Sequence, residues 1–329
     1  MASSTSWLRR AGFAAAGLAG AALTTRLYHR QLPPPTALPP ALNATSRIIE
    51  GETGRIHLYH RPGTGRPLVL LHSLNAVASP MEVRPIFERF ATATNRPLYA
   101  VDWPGFGRSD RPNYRYTPDT YHDALYAVLN KVVREEPADL VACSIGCEFA
   151  ASVALQAAPL VHRCVFIAPT GLSANRGPSP FGRLAVKTAA TLGAFTAPYF
   201  WLTRPQSLRR YLSTQVFLDA IPEALIRYGA HTARIHGAPY APRYFVDGSL
   251  FQRKVDTEVY ARLYRPTLLL TPQTPDPTVQ RFDRLPALLD ANPDALSHAE
   301  VPGGLLPQWE RPTSTLNAIT AFLKPSPHA

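Results

Sequence analysis

Along residues 46–170 the apolar positions alternate between two periods. Continuous apolar runs at 67–72 (PLVLLH), 97–102 (PLYAVD), 139–143 (DLVAC) and 163–168 (RCVFIA) read as strands buried on both faces. Helical patterns separate them, at 80–91, 117–134 and 145–157. In the second of these Tyr121, Leu125, Val128 and Val132 share one face, and Thr117 to Asp119 offer an N-cap. Residues 47–50 and 55–60 read as an opening hairpin that turns at 51–54. Such alternation predicts an α/β fold, a doubly wound and mostly parallel sheet with right-handed crossovers.

The alternation stops at Pro169. Residues 172–263 carry helical patterns and no buried strand. The stretch 184–202 is strongly apolar and ends in Tyr199, Phe200 and Trp201; 207–217, 222–236 and 256–263 are also helical in pattern. This predicts an inserted helical cap over 172–263. Sheet pattern resumes at 266–270 (PTLLL), followed by a helix at 279–289, a strand at 299–302 and a closing helix at 312–323. The expected core is therefore 46–171 together with 264–329.

Composition adds detail ahead of this core. Residues 11–25 are uncharged and follow Arg9 and Arg10. The run matches a signal-peptide apolar region and is short for a membrane span of ~20 residues. Ala19, Gly20 and Ala21 offer a cleavage site. Residues 1–31 are thus expected to be a signal peptide or an N-terminal membrane anchor, with an organellar transit peptide as the alternative. Five prolines lie within 32–40, so 32–45 reads as a stiff linker. Export or membrane association is the corresponding expectation for location.

The net charge is +11, and 34 of 329 residues are proline, about twice the usual ~5%. Five arginines and no acid precede Glu50, which leaves +6 on the rest. No dense Lys/Arg run or nucleic-acid motif accompanies that charge, so nucleic acid is not an expected partner. Cys143, Cys147 and Cys164 fall in predicted core and read as small packing residues. No metal site and no cofactor are called for.

The chemistry centres on Leu140, Val141, Ala142, Cys143, Ser144, Ile145 and Gly146. A serine between a strand and a small-residue helix reads as a nucleophile elbow, with Ala142 and Gly146 as the small flanking residues. Four further motifs follow the same order along the chain. They are Leu71-His72-Ser73-Leu74, the turn from Asp102 to Asp110 (DWPGFGRSD), Asp276, and Pro302-Gly303-Gly304 with Trp309-Glu310-Arg311-Pro312. Together these resemble the α/β-hydrolase superfamily over residues 46–329.

The resemblance implies that Ser144 is the nucleophile and that the backbone N–H groups of Leu74 and Ile145 hold the oxyanion. It implies that Asp276 orients a histidine that takes the serine proton. In Thr274-Pro275-Asp276-Pro277 the same aspartate also reads as a turn or N-cap residue. His72 would be architectural. His72, Ser73, Asn75 and Cys143 are candidate pocket residues, with Ser73 standing where the family keeps a glycine.

One element of that pattern is missing. Counting back from Glu310, the expected histidine positions hold Leu305 and Gln308. Leucine carries no proton, and an amide is not basic near neutral pH; without a base, serine is a weak nucleophile. His231 and His236 in the cap are possible substitutes, and His298 is expected at the wrong sheet edge. Glu148 reads as a buried hydrogen-bonding group. Two functions follow: a serine hydrolase acting on an ester or similar acyl bond of a small apolar substrate, or a non-catalytic relative that binds a small apolar ligand.

Overall fold

The computed structural model describes residues 37–134, 136–173, 186–188, 195–273 and 281–324. The N-terminal segment 1–31, most of the apolar stretch 184–194 and Asp276 lie outside the described residues. Eight strands form one sheet in the order β1-β2-β4-β3-β5-β6-β7-β8. They are β1 (Thr45–Gly51), β2 (Gly54–Arg61), β3 (Leu68–Leu71), β4 (Leu98–Val101), β5 (Ala138–Cys143), β6 (Val161–Ile167), β7 (Thr267–Pro272) and β8 (Leu296–Val301). Strand β2 is antiparallel to both neighbours, and all pairs from β4 to β8 are parallel. The fold is the expected α/β one.

The central strands are apolar apart from Asp139 because helices cover both faces. Residues of β3, β4 and β5 are all buried. The helices include α1 (Arg84–Ala93), α2 (Pro118–Val128) and α3 (Gly146–Gln156). The helix expected at 117–134 ends early. From Leu129 to Val133 it widens into a π-helical turn, which stops at Arg134 with φ 39°. That widening buries Val132 and Val133 together. The last strand begins three residues earlier than expected. Ser297, His298 and Glu300 interrupt its apolar run because β8 is an edge strand, where all three are exposed.

Between β6 and β7 the described chain is helical: α4 (Thr196–Leu202), α5 (Pro205–Gln215), α6 (Glu223–Thr232), α7 (Pro242–Val246) and α8 (Val255–Glu258). After β7 come α9 (Leu285–Ala291), α10 (Pro307–Glu310) and α11 (Pro312–Leu323). Leu38, Ala41 and Leu42 are buried, and the Ala41 N–H donates to the Tyr59 hydroxyl at 2.9 Å. The C-terminal half of the proline-rich stretch is therefore packed onto the body and does not act as a spacer. No helix among the described residues is long and apolar enough to cross a membrane.

A buried polar chain fastens the opening hairpin to the sheet. His57 Nδ1 lies 2.8 Å from Asp102 Oδ2, and His57 Nε2 lies 3.0 Å from the Ser46 hydroxyl. The Ser109 hydroxyl accepts the His57 N–H and donates to the Asp102 carbonyl. The DWPGFGRSD turn is thus a structural clamp, and Asp102 and Asp110 serve it as turn formers: Asp110 accepts from the Arg55 backbone and guanidinium.

Candidate active site

Parallel strands deliver their following loops to one sheet edge, and β3 and β5 are neighbours. The loop after β3 carries His72 to Asn75, and the turn after β5 carries Ser144. Ser144 has φ 53°, a left-handed conformation that a serine adopts only when its surroundings force it. Its own N–H is held by the Ile167 carbonyl at 2.9 Å. A side chain at Gly146 would place Cβ 2.8 Å from the His72 carbonyl, so the elbow helix can approach this loop only with glycine there.

Ser144 is partly exposed and opens into a cavity of about 100 Å³. Ser73, Leu74, Asn75 and Cys143 line it from the sheet side, and Leu305 lines it from the final loop. Tyr211, Leu212 and Leu225 of the insertion form another wall. Leu74 and Ile145 are buried, yet their N–H groups make no hydrogen bond among the described residues. Buried amides without partners are rare because each costs the desolvation of a polar group. Both flank Ser144 on the two loops that meet there.

His72 does not line the cavity. It is fully buried, and burial pushes its imidazole down to about 4. The Trp103 N–H donates to Nε2 at 3.3 Å, so the proton sits on Nδ1, which donates to the Ser73 carbonyl at 2.6 Å. The ring is a neutral strut between two loops. Glu148 is buried too, and accepts from the Gln252 N–H at 2.8 Å and from the Thr170 hydroxyl. It is a hydrogen-bonding group, as its position beyond the elbow implied.

Neither expected histidine position carries a base in space. Leu305 presents an apolar side chain to the cavity, and its N–H donates to the Val216 carbonyl at 2.7 Å. Gln308 is fully buried; its Nε2 donates to the Glu82 carbonyl at 2.9 Å and approaches Cys143 Sγ at 3.7 Å. No histidine among the described residues lines the cavity. His298 sits in mid-strand opposite Leu269, with its Nε2 2.6 Å from the Thr271 hydroxyl. His231 and His236 also stay outside the lining.

Glu82 also faces this cavity, which no motif in the sequence signals. Its buried carboxylate lines the cavity and accepts from the Ser73 N–H at 2.8 Å, the Ser73 hydroxyl at 2.9 Å and Asn75 Nδ2 at 3.1 Å. Burial raises its pKa, and the three donors oppose that shift. This explains Ser73: its hydroxyl gives the carboxylate a second donor and fixes the loop that a glycine would leave free. In the sequence Glu82 looks like an ordinary acid in the first turn of a helix, and only the tertiary fold turns it inward. Burial, with Glu82 second, pushes the Cys143 thiol up, so Cys143 is not a thiolate nucleophile.

A family profile described as the alpha/beta hydrolase family matches residues 68–318. Solved structures with the same fold include an esterase from Exiguobacterium antarcticum (16% identity, TM-score 0.68, covering 85% of this chain and 100% of that one). A bromoperoxidase from Bacillus anthracis has 18% identity and a TM-score of 0.66 over 85% of this chain and 100% of that one. A membrane phospholipase A described as a bacterial virulence factor has 21% identity and a TM-score of 0.63 over 96% of this chain and 94% of that one. A search of curated proteins by sequence gives no match.

Proposed function

The chain belongs to the alpha/beta hydrolase family, and from that premise we propose that its cavity takes a small ester or similar acyl compound and that Ser144 accepts the acyl group. The observation that carries this reading is the pair of unpartnered N–H groups, Leu74 and Ile145, beside a serine held at φ 53°. A carbonyl oxygen that gains charge during attack would find two preorganised donors there. The cavity, at about 100 Å³, is small, which favours a short acyl chain. Its walls of Leu212, Leu225 and Leu305 favour an apolar one.

Leu305 makes this a slow hydrolase. With no base beside it, the serine proton passes to water, and what remains is rate enhancement from binding and the oxyanion donors, ~10³–10⁴ over water. Asp276 keeps its place in the proposal as the acid that would orient a histidine at this loop. The same Leu305 supports a second reading, retention of the pocket for binding a small apolar ligand without turnover.

Hydrolysis of p-nitrophenyl acetate, butyrate and octanoate by the full chain and by Ser144→Ala tests the first reading. The expected result is slow release that is fastest for acetate or butyrate and absent in Ser144→Ala. Equal rates in both proteins would remove the enzymatic reading and leave ligand binding.

A further inference from the structure

At the sheet edge opposite Ser144, strands β3 to β6 begin around a second cleft, of about 490 Å³. Arg66 precedes β3, Arg96 precedes β4, Asp139 lies at the start of β5, and His162 and Arg163 lie at the start of β6. Lys324, just after α11, completes the rim, and Phe90 and Leu323 add apolar wall. Four permanent cations and one carboxylate line the cleft. That carboxylate is committed: Asp139 is buried and pairs with Arg96 at 2.6 Å and with His162 at 2.8 Å. Arg66, Arg163 and Lys324 have no ion-pair partner among the described residues.

The two unpaired guanidinium groups are held in place. Arg66 Nη1 donates to the Pro137 carbonyl at 3.0 Å. Arg163 Nη1 donates to the carbonyls of Phe322 at 2.9 Å and Lys324 at 2.8 Å. Each fork keeps further N–H groups for another acceptor, and fixing the side chains beforehand lowers the entropy lost on binding. Three like charges around one concavity repel, so an anion seated among them would relieve that repulsion.

We propose that this cleft is a binding site for a phosphate monoester. The dianion sits among Arg66, Arg163 and Lys324, and the organic portion lies against Phe90 and Leu323. A phosphate carries about −1.5 to −2 charges near neutral pH and several acceptor oxygens, which suits three cations and two guanidinium forks better than a carboxylate does. The ester is a soluble molecule or the headgroup of an acidic phospholipid; the chemistry at the cleft is the same. The site lies one strand length from Ser144, ~20 Å for the six residues of β5, and is independent of the function proposed there.

Calorimetric titration of the full chain with phenyl phosphate, and with benzoate as a monoanion, tests the site. Phenyl phosphate is expected to bind, more tightly than benzoate, and more weakly as salt is raised. The Arg66→Gln/Lys324→Gln double variant should lose about tenfold in affinity per charge removed. Lys324→Gln alone, at an exposed position, should lose about tenfold and serves if the double variant does not fold. Arg209→Gln, whose partner is Glu223 on the insertion, should bind as the parent does. Flotation with phosphatidylcholine vesicles, with and without phosphatidic acid, separates the sources. Capture only by the acidic vesicles assigns the headgroup, and phenyl phosphate binding without capture assigns a soluble ester. Absence of both kinds of binding, or affinity unchanged in Lys324→Gln, overturns the proposal.

Discussion

Leu305 and Ser144 line the same cavity, and the proposed function expects a proton acceptor at position 305. Leu305→His should therefore raise kcat for p-nitrophenyl acetate by ~10²-fold or more, the usual range for a positioned general base. A steady-state assay of the variant measures it, and an unchanged kcat would mean that the donors or Ser144 are also misplaced. His72 makes a different prediction. Its folded pKa of about 4 lies below its ordinary 6.5, so the unfolded chain binds the proton first. The stability it contributes is complete above pH 6.5 and is lost as pH falls toward 4, by about 3 kcal/mol in all. Urea unfolding between pH 7 and pH 4 should show that slope, and His72→Gln should flatten it. Ser144, Leu74 and Leu305 stand out in the sequence as candidates, because each sits at a fixed offset from a motif. Glu82 was illegible because its inward turn depends on Ser73 and Asn75, nine and seven residues away, and on nothing periodic.

Among the elements, the final loop and the insertion are joined by one carboxylate. Glu310 accepts from the Gly304 N–H at 2.6 Å and from the Asp219 N–H at 2.5 Å. Gly304 also packs against the insertion so closely that an added Cβ would lie 1.9 Å from the Val216 carbonyl. Leu305 is thus placed by contacts between two elements far apart in sequence. Glu310→Ala should leave the fold intact and loosen this junction; hydrogen exchange of the Leu305 amide should accelerate while amides of β5 keep their protection. Equal acceleration in both places would mean global destabilisation instead. Buried strands β3 to β6 were legible from their apolar runs. The edge strand β8 was displaced by three residues because its polar positions face water, and the π-helical turn after α2 has no signal in the apolar period.

For the molecule as a whole, the mostly parallel sheet places Ser144 and the loop after β3 at one edge and the arginine-lined cleft at the other. The order of strand and helix signals fixed that architecture in advance. Which cations would share a cleft depended on strand order, which no local pattern encodes. His57 and Asp102, both buried, add a side-chain tie to the β2–β4 pairing that joins the opening hairpin to this sheet. His57→Ala would leave the Asp102 carboxylate without its imidazole partner, and should lower unfolding stability by about 3 kcal/mol in urea titrations.

Ser144 is proposed to accept an acyl-like group. Intact-mass analysis of the full chain after treatment with a fluorophosphonate tests it most directly, because labelling reports a single addition rather than turnover. One adduct is expected, mapped to Ser144, that forms slowly in the parent protein, faster in Leu305→His and not at all in Ser144→Ala. A folded parent protein that gains no adduct, or an adduct that persists in Ser144→Ala, would contradict it.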